Sequence, residues 1–242
     1  MIKTPIILCG ALGRMGRACV ELVLSSMPDF EIKALCARDP HADKPQDWPF
    51  EISQVDNLSR DLLGSAVLID FSHHNQTLKH LELAQKNKWP ILIATTGHSE
   101  ENLEAMKKAS EHIPVIYAPN TSVMANLLIQ FCAHVARIKD VCAHIVEIHH
   151  RDKKDTPSGT AVAIGRAMAV YMDPEKITGS SLRMANVVGE HTVSFFKENE
   201  RLDLSHRVTD RRVFAEGALI AAQFLYDQRP GLYDMNDVLN LK

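Results

Sequence analysis

Short unbroken apolar runs alternate with longer stretches in which apolar residues recur every three or four positions, and this rhythm governs the first half of the chain. Ile6-Ile7-Leu8-Cys9 reads as a buried strand, followed by glycines and the helical run Ala18-Cys19-Val20-Glu21-Leu22-Val23-Leu24. Residues 31–36, 67–71, 91–94 and 115–118 read as further strands, with helices over 76–86 and 100–112 between them. Strands spaced by amphipathic helices imply βαβ units and a parallel sheet. Residues 40–49, which include Trp48 among Asp, His and Lys, read as a polar loop.

After Asn120 the rhythm changes. A long, mostly apolar helix is expected over 123–138, a strand over 141–150 and a helix over 160–171. Residues 192–197 and 201–208 alternate as antiparallel strands, with Leu202, Leu204 and His206 on one face and Asp203, Ser205 and Arg207 on the other. This part reads as α+β. Gly217-Ala218-Leu219-Ile220-Ala221-Ala222 is helical again.

Composition narrows the classes. A chain of 242 residues can bury a sizeable core, as one large domain or two small ones. Its net charge of −3 argues against a chain built to coat nucleic acid or an anionic membrane. No apolar run approaches the ~20 residues of a membrane-spanning helix, and the first residues lack the apolar core of a signal peptide. Cys9, Cys19, Cys36, Cys132 and Cys142 form no C-x-x-C pair, which suits a reducing cytoplasm and argues against a zinc or disulfide framework. Most of them sit in apolar company and read as core residues.

The densest chemistry lies in Glu147-Ile148-His149-His150-Arg151-Asp152-Lys153-Lys154-Asp155-Thr156-Pro157-Ser158-Gly159-Thr160-Ala161. Strand alternation puts Ala143, Ile145, Glu147 and His149 on one face. Ser158 is a candidate N-cap for the helix that follows, so free backbone N–H groups and a positive dipole end would face the cationic loop. Lysines beside a helix N-terminus make a site for a carboxylate or phosphate, and a histidine there can move a proton. Glu147 would orient an imidazole or pair with a lysine. His73, His74 and His80 show no ligand spacing and read as surface histidines; Asp70, at a strand end, reads as a turn cap.

Gly10-Ala11-Leu12-Gly13-Arg14-Met15-Gly16 stands between a strand and a helix, the context of a dinucleotide fingerprint, although Leu12 occupies the place of its second glycine. At the end of the second strand, in Cys36-Ala37-Arg38-Asp39, Arg38 would pair with a 2′-phosphate and so favours NADP, while Asp39 leaves NAD open.

Residues 10–17, Asp70-Phe71-Ser72, Ala94-Thr95-Thr96-Gly97, Ala118-Pro119-Asn120, the 147–161 run, Gly189-Glu190-His191-Thr192 and Phe214-Ala215-Glu216-Gly217-Ala218 together resemble the 4-hydroxy-tetrahydrodipicolinate reductase (dihydrodipicolinate reductase) family of diaminopimelate and lysine biosynthesis. The resemblance spans nearly the whole chain, and its Glu-x-His-His-x-x-Lys-x-Asp-x-Pro-Ser-Gly-Thr-Ala core is far more specific than the glycines. It implies an α/β fold: a Rossmann-type doubly wound parallel sheet with a central α+β substrate and oligomerisation domain. The expected division is 1–120 plus 217–242 for dinucleotide binding and 121–216 for substrate binding in a homotetramer.

The implied reaction is NADPH- or NADH-dependent reduction of a small cyclic dicarboxylate, 4-hydroxy-tetrahydrodipicolinate, with loss of water. The resemblance makes His149 the acid/base and Lys153 the proton donor, with His150, Gly159 and Thr160 holding a substrate carboxylate. It places the cofactor along Gly10, Ala11, Leu12, Gly13, Arg14, Met15, Arg38, Ala94, Thr95, Thr96, Ala118, Pro119, Asn120 and Thr121, and implies no metal, nucleic acid or membrane partner and a cytoplasmic setting.

Three departures stand out: Ala37 where many members carry an acid, Thr121 in place of a bulky apolar residue, and a shortened segment at 179–188. A Rossmann module that only senses nucleotide would lack the His149 and Lys153 pair. A different nicotinamide oxidoreductase acting on a semialdehyde would need a reactive cysteine in an electropositive setting, which none of the five shows.

Overall fold

A computed structural model describes residues 3–39 and 44–241 and divides the chain into two compact units, one running to Thr121 and resuming at Arg212–Asn240, the other Ser122–Arg211. In chain order the first unit contains β1 (Thr4–Cys9), α1 (Arg14–Ser25), β2 (Phe30–Cys36), β3 (Ile52–Ser53), α2 (Arg60–Leu63), β4 (Val67–Asp70), α3 (Thr77–Asn87), β5 (Ile91–Ile93), α4 (Glu100–Ser110) and β6 (Pro114–Tyr117). The second holds α5 (Val123–Val135), β7 (Cys142–His149), α6 (Gly159–Ala169), β8 (Ile177–Arg183), β9 (Gly189–Lys197) and β10 (Glu200–Val208). The chain then returns to the first unit with α7 (Arg212–Tyr226), β11 (Gly231–Tyr233) and α8 (Met235–Val238).

The first unit is a seven-stranded sheet in the order β11-β6-β5-β4-β1-β2-β3, and every pairing in it is parallel. Residues alternate between its faces. Ile6, Leu8 and Ile69 belong to one core with Cys19 of α1 and Ala218, Leu219 and Ala222 of α7. Ile7, Cys9 and Leu68 belong to the other, with Leu81 of α3 and Met106 of α4. Strands covered on both faces need apolar residues at every position, which is why β1 reads as a continuous run rather than an alternation. Small residues at 217, 218, 221 and 222, all buried, let α7 lie close to α1. The order reverses between β1 and β4, so the loops after their C-terminal ends diverge and leave a crevice, the usual ligand position in this architecture.

The central unit is a mixed sheet in the order β10-β9-β7-β8, with β7 parallel to β8 and antiparallel to β9. α5 and α6 cover one face, where Leu128, Cys132, Ile145, Ile164, Met168, Val193 and Phe195 form the core. The antiparallel β9–β10 pair appears as expected, with His191 opposite His206.

Several elements escape the hydrophobic pattern. β8 is a mostly exposed edge strand of sequence ITGSSLR, and β3 and β11 are two and three residues long. The segment at 179–188 therefore contributes strand to the sheet. Of the polar loop expected at 40–49, residues 40–43 lie outside the described residues, and Trp48 is buried in the core with the Arg17 guanidinium 6.0 Å from its ring. Four cysteines are buried and free as expected, but Cys142 is exposed. His80 is a clear correction: it is 3% exposed and faces inward from α3, while His73 is exposed. Among the described residues no helix is long and apolar enough to cross a membrane.

Candidate active site

The glycine turn is shaped by the need to bring backbone close to backbone. Gly10 sits at φ +81, in the left-handed region, and a Cβ there would lie 2.8 Å from the carbonyl carbon and oxygen of Phe71. A Cβ on Gly16 would collide with Gly10 and Ala11, so the first turn of α1 packs directly on the loop. Gly13 is the N-cap residue and supplies no side-chain cap, and the first turn carries no acidic residue. A helix start without a side-chain cap is the kind of N-terminus that can take an external anion. Leu12 packs its side chain against the core, which answers how a leucine is accommodated at that place in the motif.

The turn opens onto a cleft of about 680 Å³, lined among others by Gly10, Leu12, Gly13, Arg38, Phe71 and Ser72. That volume is in the range of nucleotide-sized ligand pockets. Arg38 and Asp39 are exposed after β2 at its wall. Ala11 is buried beneath the turn, while Arg14 and Met15 open α1. Ala94, Thr95 and Thr96 follow β5, and Ala118, Pro119, Asn120 and Thr121 follow β6, so the parallel sheet places these groups at its same C-terminal edge. The Thr95 hydroxyl lies 2.9 Å from His98 Nε2, and the buried Thr121 hydroxyl donates to the Phe214 carbonyl at 2.6 Å, tying the loop after β6 to α7. A separate, smaller hollow of about 300 Å³ near Leu103 and Leu232 is apolar and lies away from the glycine turn.

Beneath the cleft, Asp70 caps the loop after β4 by accepting from Ser72 N at 2.9 Å and Ser72 Oγ at 2.6 Å. Its second oxygen lies 2.8 Å from His80 Nδ1, an ion-pair separation whose geometry is not that of a hydrogen bond.

The second constellation belongs to the central unit and is made of side chains. β7 alternates as expected, burying Ala143, Ile145, Glu147 and His149 and leaving His150 half-buried on the opposite face. Glu147, 1% exposed, accepts from His149 Nδ1 at 2.5 Å. Arg183, at the end of β8, grips the same carboxylate with both terminal nitrogens, at 3.0 and 2.9 Å, and Ser158 N donates to it at 3.2 Å. A planar guanidinium meeting a carboxylate in two parallel bonds is the geometry that best repays its burial. The cation at Glu147 is therefore this arginine rather than a lysine.

Arg183 also holds the loop that carries Lys153. It donates to the carbonyls of Lys153 and Asp155, at 3.3 and 2.6 Å, and to Thr156 Oγ1 at 3.0 Å. One side chain thus sets both the carboxylate behind His149 and the backbone beneath Lys153. Lys153 Nζ lies 2.9 Å from Asp155 Oδ2. Ser158 caps α6 as expected, accepting from Ala161 N at 3.2 Å, with Gly159 and Thr160 opening the helix.

Electrostatics follow from this arrangement. Burial would raise the Glu147 carboxyl, but bonds from Arg183, Ser181 and His149 outweigh it and hold it at about 2. Burial pushes the His149 imidazole below its ordinary value; Glu147 pulls it back up, and Lys153 and Arg183 oppose that pull. With Nδ1 committed to the carboxylate, the neutral ring carries its proton there and leaves Nε2 unprotonated. Gly189 makes room for that edge, since a Cβ on it would lie 3.0 Å from His149 Nε2. His191 stacks edge-on against His149 with ring centres 5.2 Å apart, and its Nε2 lies 3.0 Å from Ser158 Oγ. Burial first, then the nearby His149, holds the His191 imidazole down at about 4.

Of the residues expected at the substrate end, His149, Lys153, Gly159 and Thr160 all belong to this strand, loop and helix, and His150 extends from the other side of β7. Arg183 and the role of His191 went unread. His191 had a signal: Gly189, His191, Val193 and Phe195 alternate onto the buried face of β9.

The chain is similar from end to end to known proteins. The family description "Dihydrodipicolinate reductase, N-terminus" matches residues 4–121, and "Dihydrodipicolinate reductase, C-terminus" matches residues 124–239. The chain is 36% identical to the 4-hydroxy-tetrahydrodipicolinate reductase of Nitrosospira multiformis, with 100% of both chains covered. It is 37% identical to that of Magnetococcus marinus, covering 96% of this chain and 97% of the relative. Among solved structures it resembles a dipicolinate-bound dihydrodipicolinate reductase from Paenisporosarcina, with a TM-score of 0.80 at 19% identity over 96% of this chain and 98% of that one. A diaminopimelate dehydrogenase of C. glutamicum shares the fold at a TM-score of 0.62 and 11% identity, over 97% and 93% of the two chains. Matched by both family descriptions and by relatives of 36–37% identity over nearly their whole length, this chain belongs to the dihydrodipicolinate reductase family.

Proposed function

We propose that the protein reduces 4-hydroxy-tetrahydrodipicolinate to tetrahydrodipicolinate with loss of water, the first unit holding a nicotinamide nucleotide and the central unit the dicarboxylate. Membership in the family makes the chain an oxidoreductase of diaminopimelate and lysine biosynthesis and implies a nicotinamide cofactor. The observation that carries the assignment of roles is the shared grip of Arg183 on Glu147 and on the Lys153 loop.

The cofactor supplies a hydride and no proton, so the protein must deliver one to the ring position that accumulates charge. Glu147 fixes the His149 ring and its tautomer, so Nε2 is ready to accept or return a proton. Lys153 brings a cation that draws in the dicarboxylate and can itself donate a proton as charge builds. Gly159, exposed at the start of α6, and the half-buried Thr160 would receive a substrate carboxylate, with His150 assisting. In the first unit the N-terminus of α1 and residues 10–15 would hold the pyrophosphate, while residues 94–96 and 118–121 would flank the rest of the nucleotide. Arg38 supports a preference for NADPH, since an exposed guanidinium after β2 suits a 2′-phosphate. A homotetramer in the cytoplasm remains part of this reading, and light scattering on the purified protein tests the subunit number.

The decisive assay follows loss of the reduced-nicotinamide absorbance band with substrate freshly generated by the preceding pathway enzyme. Substrate-dependent oxidation of NADPH faster than of NADH is expected. Nucleotide binding without turnover would leave a nucleotide-sensing module instead.

A further inference from the structure

Lys153, in the loop before α6, already pairs with a carboxylate from its own chain. Asp155 Oδ2 lies 2.9 Å from Lys153 Nζ, in the loop that leads into Gly159 at the start of α6. Lys153 is one of the groups assigned above to the substrate dicarboxylate. We propose that Asp155 is a built-in stand-in for a substrate carboxylate, displaced when substrate binds, and that this exchange selects for ligands bearing two carboxylates. The inference rests on the reading of Lys153, Gly159 and Thr160 as the substrate-carboxylate site.

Four observations suit Asp155 to this role. Its side chain is 57% exposed, so the ion pair with Lys153 is only partly shielded from water and readily exchanged. The loop backbone on either side is held by Arg183 through the Lys153 and Asp155 carbonyls and Thr156 Oγ1, so exchange needs only rotation of one side chain. The neighbouring carboxylate, Glu147, is 1% exposed and fully engaged by Arg183, His149 and Ser158, so it stays in place as a permanent part of the site. Burial would raise the Asp155 carboxyl, but Lys153 and the loop N–H groups outweigh it, so it is ionised and competing at neutral pH.

The consequence is a filter. A single carboxylate entering the site exchanges one anion for another and gains little. A diacid makes the same exchange and brings a second charge into a loop rich in Lys and Arg, which supplies the surplus.

Equilibrium titration with pyridine-2,6-dicarboxylate and with pyridine-2-carboxylate tests this on the full-length protein, the wild type beside Asp155→Asn and Lys153→Ala. Asp155→Asn keeps the size and shape of the side chain while the competing charge is removed. A dissociation constant about three- to tenfold lower for the dicarboxylate is expected, together with a smaller preference for it over the monocarboxylate. Asp155→Ser, shorter and uncharged, should shift affinity the same way, and Asp155→Glu should restore wild-type discrimination. Dicarboxylate affinity in Asp155→Asn and Asp155→Ser equal to or weaker than wild type overturns the stand-in. Unchanged binding in Lys153→Ala instead overturns the underlying site reading, so the two failures are told apart.

Discussion

The two units build their sites from different materials. The first makes its site from backbone: a glycine at positive φ, a helix start with no side-chain cap, and loop ends gathered at one edge of a parallel sheet. The central unit makes its site from side chains, and those depend on one another. Arg183, Glu147, His149, Ser158 and His191 are joined by bonds of 2.5 to 3.2 Å, and all but Arg183 are nearly buried. A backbone site tolerates exchange of most side chains around it, whereas a network of buried polar groups fails when any member is removed.

The sharpest way to break that contrast is at Arg183. Arg183→Met removes the partner of a buried carboxylate and releases the Lys153 loop at once. A loss of about 3 kcal/mol in stability is expected, with turnover lowered at least about a hundredfold. Chemical denaturation and steady-state kinetics measure the two effects, and a variant with both unchanged would show that the network is idle.

Acid should strike the same network. The folded-state value of His191 lies near 4, below its ordinary 6.5, so folding favours the neutral ring. That contribution is present above pH 6.5 and is lost as pH falls from 6.5 to 4, about 3 kcal/mol in all. Glu147, held at about 2 against 4.5, contributes above pH 4.5 and loses its part between 4.5 and 2. Denaturation followed across pH should show stability falling first in the upper window, and His191→Phe should flatten that first fall. A first fall that persists in the variant would remove His191 as its cause.

The backbone site should break through shape alone. Gly10→Val puts a branched side chain where φ is +81 and Phe71 backbone lies 2.8 Å from the added Cβ. Nucleotide affinity should fall ten- to a hundredfold by fluorescence titration. Dicarboxylate binding measured without nucleotide should stay near wild type if the sites are independently built. The smallest expected effect is at Arg38→Ala, which should weaken NADPH about fivefold and NADH hardly at all, by KM comparison. Equal changes for the two nucleotides would remove Arg38 from phosphate recognition.

This division also explains what was legible in the sequence. β1, β4 and β5 announce themselves because strands covered on both faces must be apolar throughout. The Glu147 to Ala161 run was legible because its charges, cap and glycine follow each other in one short segment. Arg183 was not, because it reaches Glu147 only through the parallel pairing of β8 with β7, and β8 is an exposed edge strand rich in Gly and Ser with no apolar alternation. His80 was readable in hindsight: Thr77, His80, Leu81 and Ala84 repeat as one helical face, all buried, so the histidine shares the apolar stripe.

In the proposed reaction His149, oriented by Glu147, moves the proton while the first unit holds the nucleotide. Its most direct test is His149→Gln, comparing turnover with NADPH affinity in the same preparation. Turnover reduced a hundredfold or more with NADPH dissociation unchanged is the predicted result. Turnover at the wild-type rate would contradict it.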